Sequence, residues 1–356
     1  MELLNRRILK CLRQEKVFAL ATIMTHDGST PRTSGSKMIV LNDRTIYGTI
    51  GGGLIEALVI DASIDMIKKK KCQIKEFSLN KSLKHGLDMI CGGNLSILIE
   101  TFIRPSDNTA ALTSSAEAVF NAVTDLEKTG GKGFLISLIK GFSKSDFTTE
   151  KCLVLPDGTI TGNNLKIPSH LIEEIKKGRF KGPSPVIYNH NLKEYIIEPV
   201  QPGDIIYIFG AGHVGFYLAQ MARLSDFQVV VTDDRHEFAN RERFPHAEEI
   251  RVIEKFKNAF DSLLINEHSY IVILTRGHLY DQTVLEHALN TSAAYIGMIG
   301  SERKKRQIYN NLQKKGVTEN SLRRVYSPIG IEIHSETPSE IAVSIIGEII
   351  KVRAEK

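Results

Sequence analysis

The chain has 356 residues, which is long for a single domain, so we expect two or three domains. Its 46 basic and 41 acidic side chains give a net charge of +5 that is spread along the chain, and without a long basic arm or a repeated aromatic platform nucleic-acid binding is not indicated. No apolar run approaches the ~18 residues of a membrane span, so we expect no membrane contact. The charged first residues are unlike a secretory signal, and the four cysteines form no C-x-x-C pair. We therefore expect a cytoplasmic protein with free thiols.

Residues 1–110 are predicted to form a first, α+β domain. It opens with an amphipathic helix in which Leu4, Ile8, Cys11 and Leu12 share a face. Strands are predicted at residues 18–23, 38–41, 45–47 and 97–99, and a helix at about 54–69.

Residues 111–200 look like a second copy of the first block. Residues 37–48 and 151–162 are identical at seven of twelve positions with a constant offset of 114. Any two hairpins can look alike, but the order of the flanking elements matches as well, so we favour an internal duplication. The second copy lacks the glycine run and the Cys-Gly-Gly sequence of the first, so we expect it to be a scaffold.

Residues 201–356 are predicted to form a Rossmann-like domain, a doubly wound parallel sheet of the α/β class. Pro202 and Gly203 mark its boundary. Strand patterns alternate with helix patterns, at residues 205–209, 228–232, 251–253, 269–274 and 294–299. The last helix is predicted to begin at Thr337 with a proline at its first position and a capping box completed by Glu340.

The sequence Gly210-Ala-Gly212-His213-Val-Gly215 lies between the first of these strands and a helix pattern. In a dinucleotide-binding turn the first glycine makes the turn, the second lets a pyrophosphate approach and the third lets helix and strand pack closely, while the helix start offers N–H groups to the anion. We therefore predict that Gly210, Gly212, His213 and Gly215 bind a nucleotide.

An acid ends the next strand of this domain, and Asp233 or its neighbour Asp234 could accept hydrogen bonds from a ribose. A carboxylate here favours NAD over NADP, because a 2′-phosphate would meet its charge. Arg235 lies close by and softens that preference.

The first block carries further candidates for anion binding. Ser29, Arg32 and Lys37 gather hydroxyl, guanidinium and ammonium groups that suit a phosphate or a pterin-type anion, although an ordinary polar loop has the same composition. The glycine run at 51–53, namely Gly51, Gly52 and Gly53, precedes a helix carrying Glu56, and such runs either form anion-binding nests or make tight turns.

A thiol beside two glycines, in Cys91-Gly92-Gly93, suits a soft metal or a sulfur-bearing cofactor, although a single cysteine is more often a small buried apolar residue. In the third block, Arg276 and His278 follow a parallel strand, where ligands bind in such sheets. Ser301 is predicted to cap a helix whose start forms another anion site.

Together these motifs resemble the XdhC/CoxI family, which are accessory proteins of xanthine dehydrogenase and related molybdenum hydroxylases. The resemblance is carried by residues 28–32, 48–53 with Glu56, 91–93, 209–215, 275–278, 296–304, 327–330 and 336–342. Many CoxI-like relatives have a cysteine directly after the glycine run, where this chain has Leu54, so the chain looks more like the XdhC branch.

The resemblance implies a chaperone that binds molybdenum cofactor (molybdopterin with its metal), protects it during sulfuration and delivers it to the hydroxylase. It also implies a cysteine desulfurase as a partner and a homodimer. In this interpretation Arg32 and Lys37 hold the pterin phosphate, the glycine run forms the floor of the site and Cys91 faces the metal.

Two other interpretations stay open. The glycine turn could instead serve an NAD(P)-dependent oxidoreductase with Asp233 on the ribose and His278 as acid or base. A purely structural assembly protein fits poorly with so many glycines in exposed loops.

Overall fold

The structure, a computed structural model, describes residues 4–14, 17–28, 34–78, 93–103, 110–143, 146–163, 165–180, 182 and 184–355. The chain divides into an N-terminal unit, residues 2–202, and a C-terminal unit, residues 203–356. Among the residues described, no helix is both long and apolar enough to cross a membrane.

The first half of the N-terminal unit is an antiparallel sheet of five strands with two helices. Its elements are α1 (Leu4–Gln14), β1 (Val17–Gly28), β2 (Lys37–Leu41), β3 (Ile46–Gly48), α2 (Gly53–Lys69), β4 (Gln73–Ser78) and β5 (Gly93–Ile103). The strands lie in the order β3-β2-β1-β5-β4.

The second half of the unit repeats this arrangement element by element. Its elements are α3 (Ala110–Lys128), β6 (Gly133–Ser143), β7 (Asp146–Val154), β8 (Ile160–Thr161), α4 (Ser169–Lys176), β9 (Val186–His190) and β10 (Lys193–Val200). The strand order, β8-β7-β6-β10-β9, is that of the first sheet with each strand replaced by its counterpart.

The two turns that join β2 to β3 and β7 to β8 match in detail. Asp43 accepts a hydrogen bond from the Thr45 N–H at 2.9 Å, and Asp157 accepts one from the Thr159 N–H at 2.8 Å. These bonds hold the pKa of each aspartate below its usual value. Equal topology and equal turns support the predicted duplication.

Alternate residues of β1 face two different cores, as the period of a strand requires. Ala19, Ala21 and Ile23 pack with the apolar face of α2, while Phe18 and Leu20 share a cluster with residues of α1, α3 and β6. Each sheet therefore keeps its own helix on one face and meets the other half of the unit on its second face.

Two buried ion pairs cross between the halves. The ammonium of Lys37 on β2 contacts the Glu198 carboxylate on β10, and the ammonium of Lys151 on β7 lies 2.8 Å from Oε1 of Glu100 on β5. Each lysine also bonds a hydroxyl on the strand beside it, Thr22 at 3.1 Å for Lys37 and Ser137 for Lys151. Each copy thus supplies the lysine for one pair and the glutamate for the other.

Burial alone would lower the pKa of Lys151, but the charges of Glu100 and Glu198 outweigh burial and raise it. Burial likewise would raise the pKa of Glu198, and the ammonium groups of Lys37 and Lys151 hold it below its usual value instead. Lys151 and Glu198 are therefore charged.

The C-terminal unit is a six-stranded parallel sheet with helices on both faces. Its strands are β11 (Ile205–Phe209), β12 (Gln228–Asp233), β13 (Glu249–Val252), β14 (Ser269–Ile273), β15 (Tyr295–Met298) and β16 (Val325–Tyr326). Its helices are α5 (His213–Leu224), a short 3-10 helix (Phe256–Asn258), α6 (His278–Ala288), α7 (Glu302–Lys314), α8 (Glu319–Leu322) and α9 (Pro338–Ala354). These elements confirm the predicted fold class.

The strands lie in the order β13-β12-β11-β14-β15-β16, so β11 to β13 extend to one side of the sheet and β14 to β16 extend to the other. Helices α5 and α9 pack on one face of the sheet, and α6 and α7 on the other. A reversal of this kind separates the loops that follow the two central strands and opens a crevice at their carboxyl ends.

The last helix begins as predicted. Thr337 accepts a hydrogen bond from the Glu340 N–H, and the Glu340 carboxylate accepts one from the Thr337 N–H, which completes the capping box ahead of Pro338.

Candidate functional site

The glycine run of the N-terminal unit forms a loop closed by one carboxylate. Oε2 of Glu56 accepts hydrogen bonds from the Thr49 hydroxyl at 2.6 Å, from the Gly52 N–H at 3.1 Å and from the Ile50 N–H at 3.3 Å. The N–H groups of Ile50 and Gly52 thus converge on one anion, as in an anion-binding nest, while the Gly51 N–H between them donates to the Thr49 hydroxyl at 3.1 Å. In this structure the anion is part of the protein.

The same loop is open on its outer side. Gly51, Gly52 and Gly53 all have positive φ, at 129°, 75° and 60°. A Cβ built on Gly52 or Gly53 would meet no atom within 4 Å. Glycine is therefore required here by backbone conformation and not by close packing.

Lys37, the predicted phosphate ligand, is largely buried, with 17% of its side chain exposed, and its ammonium has a partner in Glu198. Gly93 is the first residue of β5 and pairs with Gly28. Ser29, Arg32, Cys91 and Gly92 lie outside the described residues, and within the described ranges no group of three or more metal-ligating side chains occurs.

In the C-terminal unit, the three glycines of the turn differ in what surrounds them. Gly210 has a φ of 125°, and a Cβ there would lie 2.2 Å from the Leu274 carbonyl oxygen. A Cβ on Gly215 would lie 2.2 Å from the Gly210 carbonyl oxygen, whereas one on Gly212 would meet nothing within 4 Å. Two of the glycines thus serve packing, and Gly212 leaves the approach to the turn open.

Asp233, the predicted ribose acid, is buried and holds the turn. Its Oδ2 accepts the Ala211 N–H at 2.7 Å, and its Oδ1 accepts the backbone N–H and Nε of Arg235 at 3.0 and 2.9 Å. Burial alone would raise the pKa of Asp233, but the Arg235 side chain and the Ala211 N–H outweigh it and hold that pKa low. Both oxygens are therefore occupied by the protein.

A residue that the sequence analysis missed, Arg243, bonds the carbonyl group of the same residue, Ala211. Nη2 of Arg243 donates to the Ala211 carbonyl oxygen at 3.2 Å, and its guanidinium lies 5.0 and 5.3 Å from the rings of Phe238 and Phe216. Nothing in the sequence around Arg243 indicates this contact, because the arginine lies 32 residues from the turn.

Asp234 and Arg276 form an ion pair, with Nη2 of the arginine 2.7 Å from Oδ2 of the aspartate. The two residues follow β12 and β14, the strands on either side of β11. His213 and His278 are the first residues of α5 and α6, and both are exposed. The structure thus places Arg276 and both histidines at the loops that border the crevice.

A second buried carboxylate, Asp281 on α6, bonds the segment that follows β14. Asp281 accepts hydrogen bonds from the Thr275 hydroxyl at 2.6 Å and N–H at 3.1 Å, and it contacts the Lys304 ammonium. Burial raises the pKa of Asp281, and Lys304 and Thr275 offset this only in part. Ser301 caps α7 by accepting the Lys304 N–H, as predicted. Lys304, which lies in the first turn of the helix predicted to start an anion site, is therefore already paired with Asp281.

Comparison with known families identifies both ends of the chain. Residues 11–78 match the model of the XdhC and CoxI family, and residues 206–349 match the model of the XdhC Rossmann domain. The first match contains the glycine loop with Glu56, and the second contains the glycine turn and the crevice.

Among known sequences, the chain is 24% identical over 344 residues to the uncharacterized protein YqeB of Escherichia coli, covering 97% of this chain but 45% of the relative. The chain thus spans less than half the length of that protein. It is 24% identical over 349 residues to a probable xanthine dehydrogenase subunit of Bacillus subtilis, covering 96% of this chain and 95% of the relative.

Among solved structures, a protein described as a xanthine dehydrogenase from Bacillus halodurans shares the fold with a TM-score of 0.75 at 24% identity, over 99% of this chain and 96% of the other. The two family matches, in this order and on these two units, lead to one conclusion: the chain belongs to the XdhC/CoxI family.

Proposed function

We propose that this protein is an accessory factor of xanthine dehydrogenase or a related molybdenum hydroxylase, which binds molybdenum cofactor and delivers it after sulfuration. The observation that carries the proposal is the presence of both XdhC family matches in one chain, together with an almost full-length relative whose name assigns it to a probable xanthine dehydrogenase. The same proposal includes a cysteine desulfurase, as the source of sulfur, and a homodimeric state.

The donor chemistry of the glycine loop suits the phosphate of such a cofactor. The N–H groups of Ile50 and Gly52 already hold a carboxylate, and the space outside Gly52 and Gly53 is open. A phosphate would take the place of the Glu56 carboxylate at these N–H groups or bind beside it. Glu56 is then an internal competitor that keeps the loop ordered before the ligand arrives.

When bound, the cofactor would supply molybdenum and its sulfido ligand, and this chain would supply binding and protection. The described thiols Cys11, Cys72 and Cys152 are all buried, and burial raises the pKa of Cys72 and of Cys152 to about 12, so neither forms a thiolate readily. We therefore keep Cys91, on the strength of its sequence, as the residue that would face the metal.

The test is an anaerobic titration of the purified chain with molybdenum cofactor, followed by absorbance. We expect tight binding that weakens in Cys91→Ala and changes in Glu56→Ala, while Asp61→Ala, an exposed carboxylate on the same helix as Glu56, leaves it unchanged. Maturation of apo-hydroxylase in the presence of a cysteine desulfurase should fall in Cys91→Ala and stay unchanged in Asp61→Ala. A chain that binds no cofactor and does not support maturation would refute the proposal.

A second candidate function, nucleotide binding by the C-terminal unit, is supported by the open approach at Gly212 and by the crevice at the strand reversal. It includes the NAD(P)-dependent oxidoreductase, with the exposed His278 as acid or base. Measurable affinity for NAD(H) that is lost in Gly212→Val would support nucleotide binding, and turnover that is lost in His278→Gln would support the oxidoreductase.

A further inference from the structure

We propose that a cavity on one face of the C-terminal unit binds a small aromatic molecule with a single anionic group, and that Arg223 recognises the charge. The cavity has a volume of about 490 Å³, within the range of small-molecule sites. It is bounded by α5 and by the segment that joins β12 to β13. The lining residues used below are Phe216, Ala219, Arg223, Val229, Arg243 and Phe244.

The cavity is separate from the crevice at the carboxyl ends of the strands. Phe216 and Leu224, which both line it, lie near the start and at the end of α5, so the cavity follows the helix for about 12 Å at ~1.5 Å per residue. Val229 is the second residue of β12, and it therefore lies at the amino end of a strand whose carboxyl end borders the crevice. Binding in this cavity would not require a nucleotide in the crevice.

The walls of the cavity are apolar and aromatic. The rings of Phe216 and Phe244 meet edge to face, with centroids 6.1 Å apart, and Ala219 and Val229 are buried. Edge-to-face and offset contacts between aromatic rings add to the free energy gained from burial of apolar area. An aromatic ligand can extend this packing into the cavity.

The two arginines of the cavity differ in how far their charges are already used. Nη2 of Arg243 donates to the Ala211 carbonyl oxygen at 3.2 Å, and its guanidinium lies 5.3 Å from the centroid of the Phe216 ring. The side chain of Arg223 forms no hydrogen bond or ion pair with the described residues, and its two Nη atoms, unlike its Nε, are not buried. Arg223 is therefore the arginine whose donors are available to a ligand.

The charge in the cavity favours an anion. Glu242 and His246 also line it, and both are exposed, so two arginines face one carboxylate. A guanidinium offers paired N–H donors to a carboxylate or sulfonate, and such charge-assisted bonds are stronger than neutral ones. The attraction is also stronger beside apolar walls than in open water, because the local dielectric constant is lower. A neutral aromatic molecule would gain only the apolar contacts.

Titration of the full chain with anilinonaphthalene sulfonate (ANS) and, separately, with N-phenylnaphthylamine, which has the same rings without the sulfonate, tests the proposal. Probe fluorescence reports binding. We expect one ANS per chain, bound about tenfold more tightly than the neutral probe. Arg223→Gln should weaken ANS binding about tenfold, the effect of losing one charge-assisted hydrogen bond, and should leave the affinity for the neutral probe unchanged. Glu242→Gln should strengthen ANS binding, because it removes a like charge.

Arg323→Gln is the matched control, since it removes an arginine from an exposed pair with Glu319 elsewhere in the same unit and should leave both affinities unchanged. Thermal unfolding of each variant checks that the unit is folded. Equal affinity of the wild-type chain for the two probes, or an unchanged ratio of the two affinities in Arg223→Gln, would overturn the proposal. Weaker ANS binding in Glu242→Gln, or a wild-type chain that binds neither probe at a saturable site, overturns it as well.

Discussion

Removal of one partner from the buried Lys151–Glu100 pair should destabilise the N-terminal unit strongly. The lysine ammonium lies 2.8 and 3.0 Å from the two oxygens of Glu100, and the side chains are only 4% and 1% exposed. Lys151→Met would leave the Glu100 carboxylate buried with one remaining donor among the described residues, the Thr149 hydroxyl at 2.7 Å. Breaking a buried pair in this way costs about 3–5 kcal/mol, because the remaining charge is uncompensated.

For a unit of this size such a loss corresponds to a fall in Tm of roughly 6–20 °C, at about 2–4 °C per kcal/mol. The double variant Lys151→Met/Glu100→Leu removes both charges and should recover most of the loss, since apolar replacements of buried pairs are often neutral. Urea unfolding read by amide hydrogen exchange in peptides from β5, β6 and β7 isolates this unit from the rest of the chain.

The control is Arg44→Ala, which removes an exposed pair with Asp61 and should cost about 0–1 kcal/mol. The reasoning fails if Lys151→Met costs less than ~1 kcal/mol, which is the range of an exposed pair. It also fails if the double variant is as unstable as the single one.

Three further outcomes are expected. Gly212→Ala should fold normally and lose nucleotide affinity, whereas Gly215→Ala should destabilise the C-terminal unit because its Cβ would lie 2.2 Å from a carbonyl oxygen. Thermal unfolding and NADH titration distinguish the two variants, and equal thermal stability of both would contradict the packing argument. Asp233→Asn should lower the free energy of unfolding by about 1.5–3 kcal/mol through loss of charge-assisted hydrogen bonds. Faster hydrogen exchange at the Ala211 amide, whose N–H bonds Asp233, would report this loss. Because the pKa of Glu198 is lowered on folding, its ionised form stabilises the protein above about pH 4.5, and this stabilisation is lost as the pH falls through the folded-state pKa. The difference in stability between wild type and Glu198→Gln, measured by urea midpoints, should therefore shrink below about pH 4.5. A difference that stays constant with pH would contradict this reasoning.

The sequence predicted those features that depend on neighbouring residues. The glycine turn, the caps at Ser301 and Thr337 and the alternation of strands and helices are local, and the structure contains them. The duplication was also readable, because two hairpins with the same turn chemistry keep similar sequences. The nucleotide- and cofactor-binding roles of these residues stay predictions.

Long-range partners could not be read in this way. Lys37 looked like a phosphate ligand because its partner, Glu198, lies 161 residues away and becomes a neighbour only when the two sheets pack. Glu56 looked like part of a ligand site because the sequence does not show that its carboxylate turns back onto the glycine loop. Asp233 and Asp234 are adjacent and chemically equal, and only the fold distinguishes the acid that bonds the Ala211 N–H from the acid that pairs with Arg276.

The crossed lysine–glutamate pairs of the N-terminal unit have the pattern of an isologous dimer, in which residue i of one protomer meets residue j of the other and j meets i. Here the two protomers are one chain, so their association needs no second molecule and is independent of concentration. In a true homodimer every substitution appears twice. In this tandem dimer a substitution falls on one half only, so the first half can carry an open glycine loop that the second half lacks.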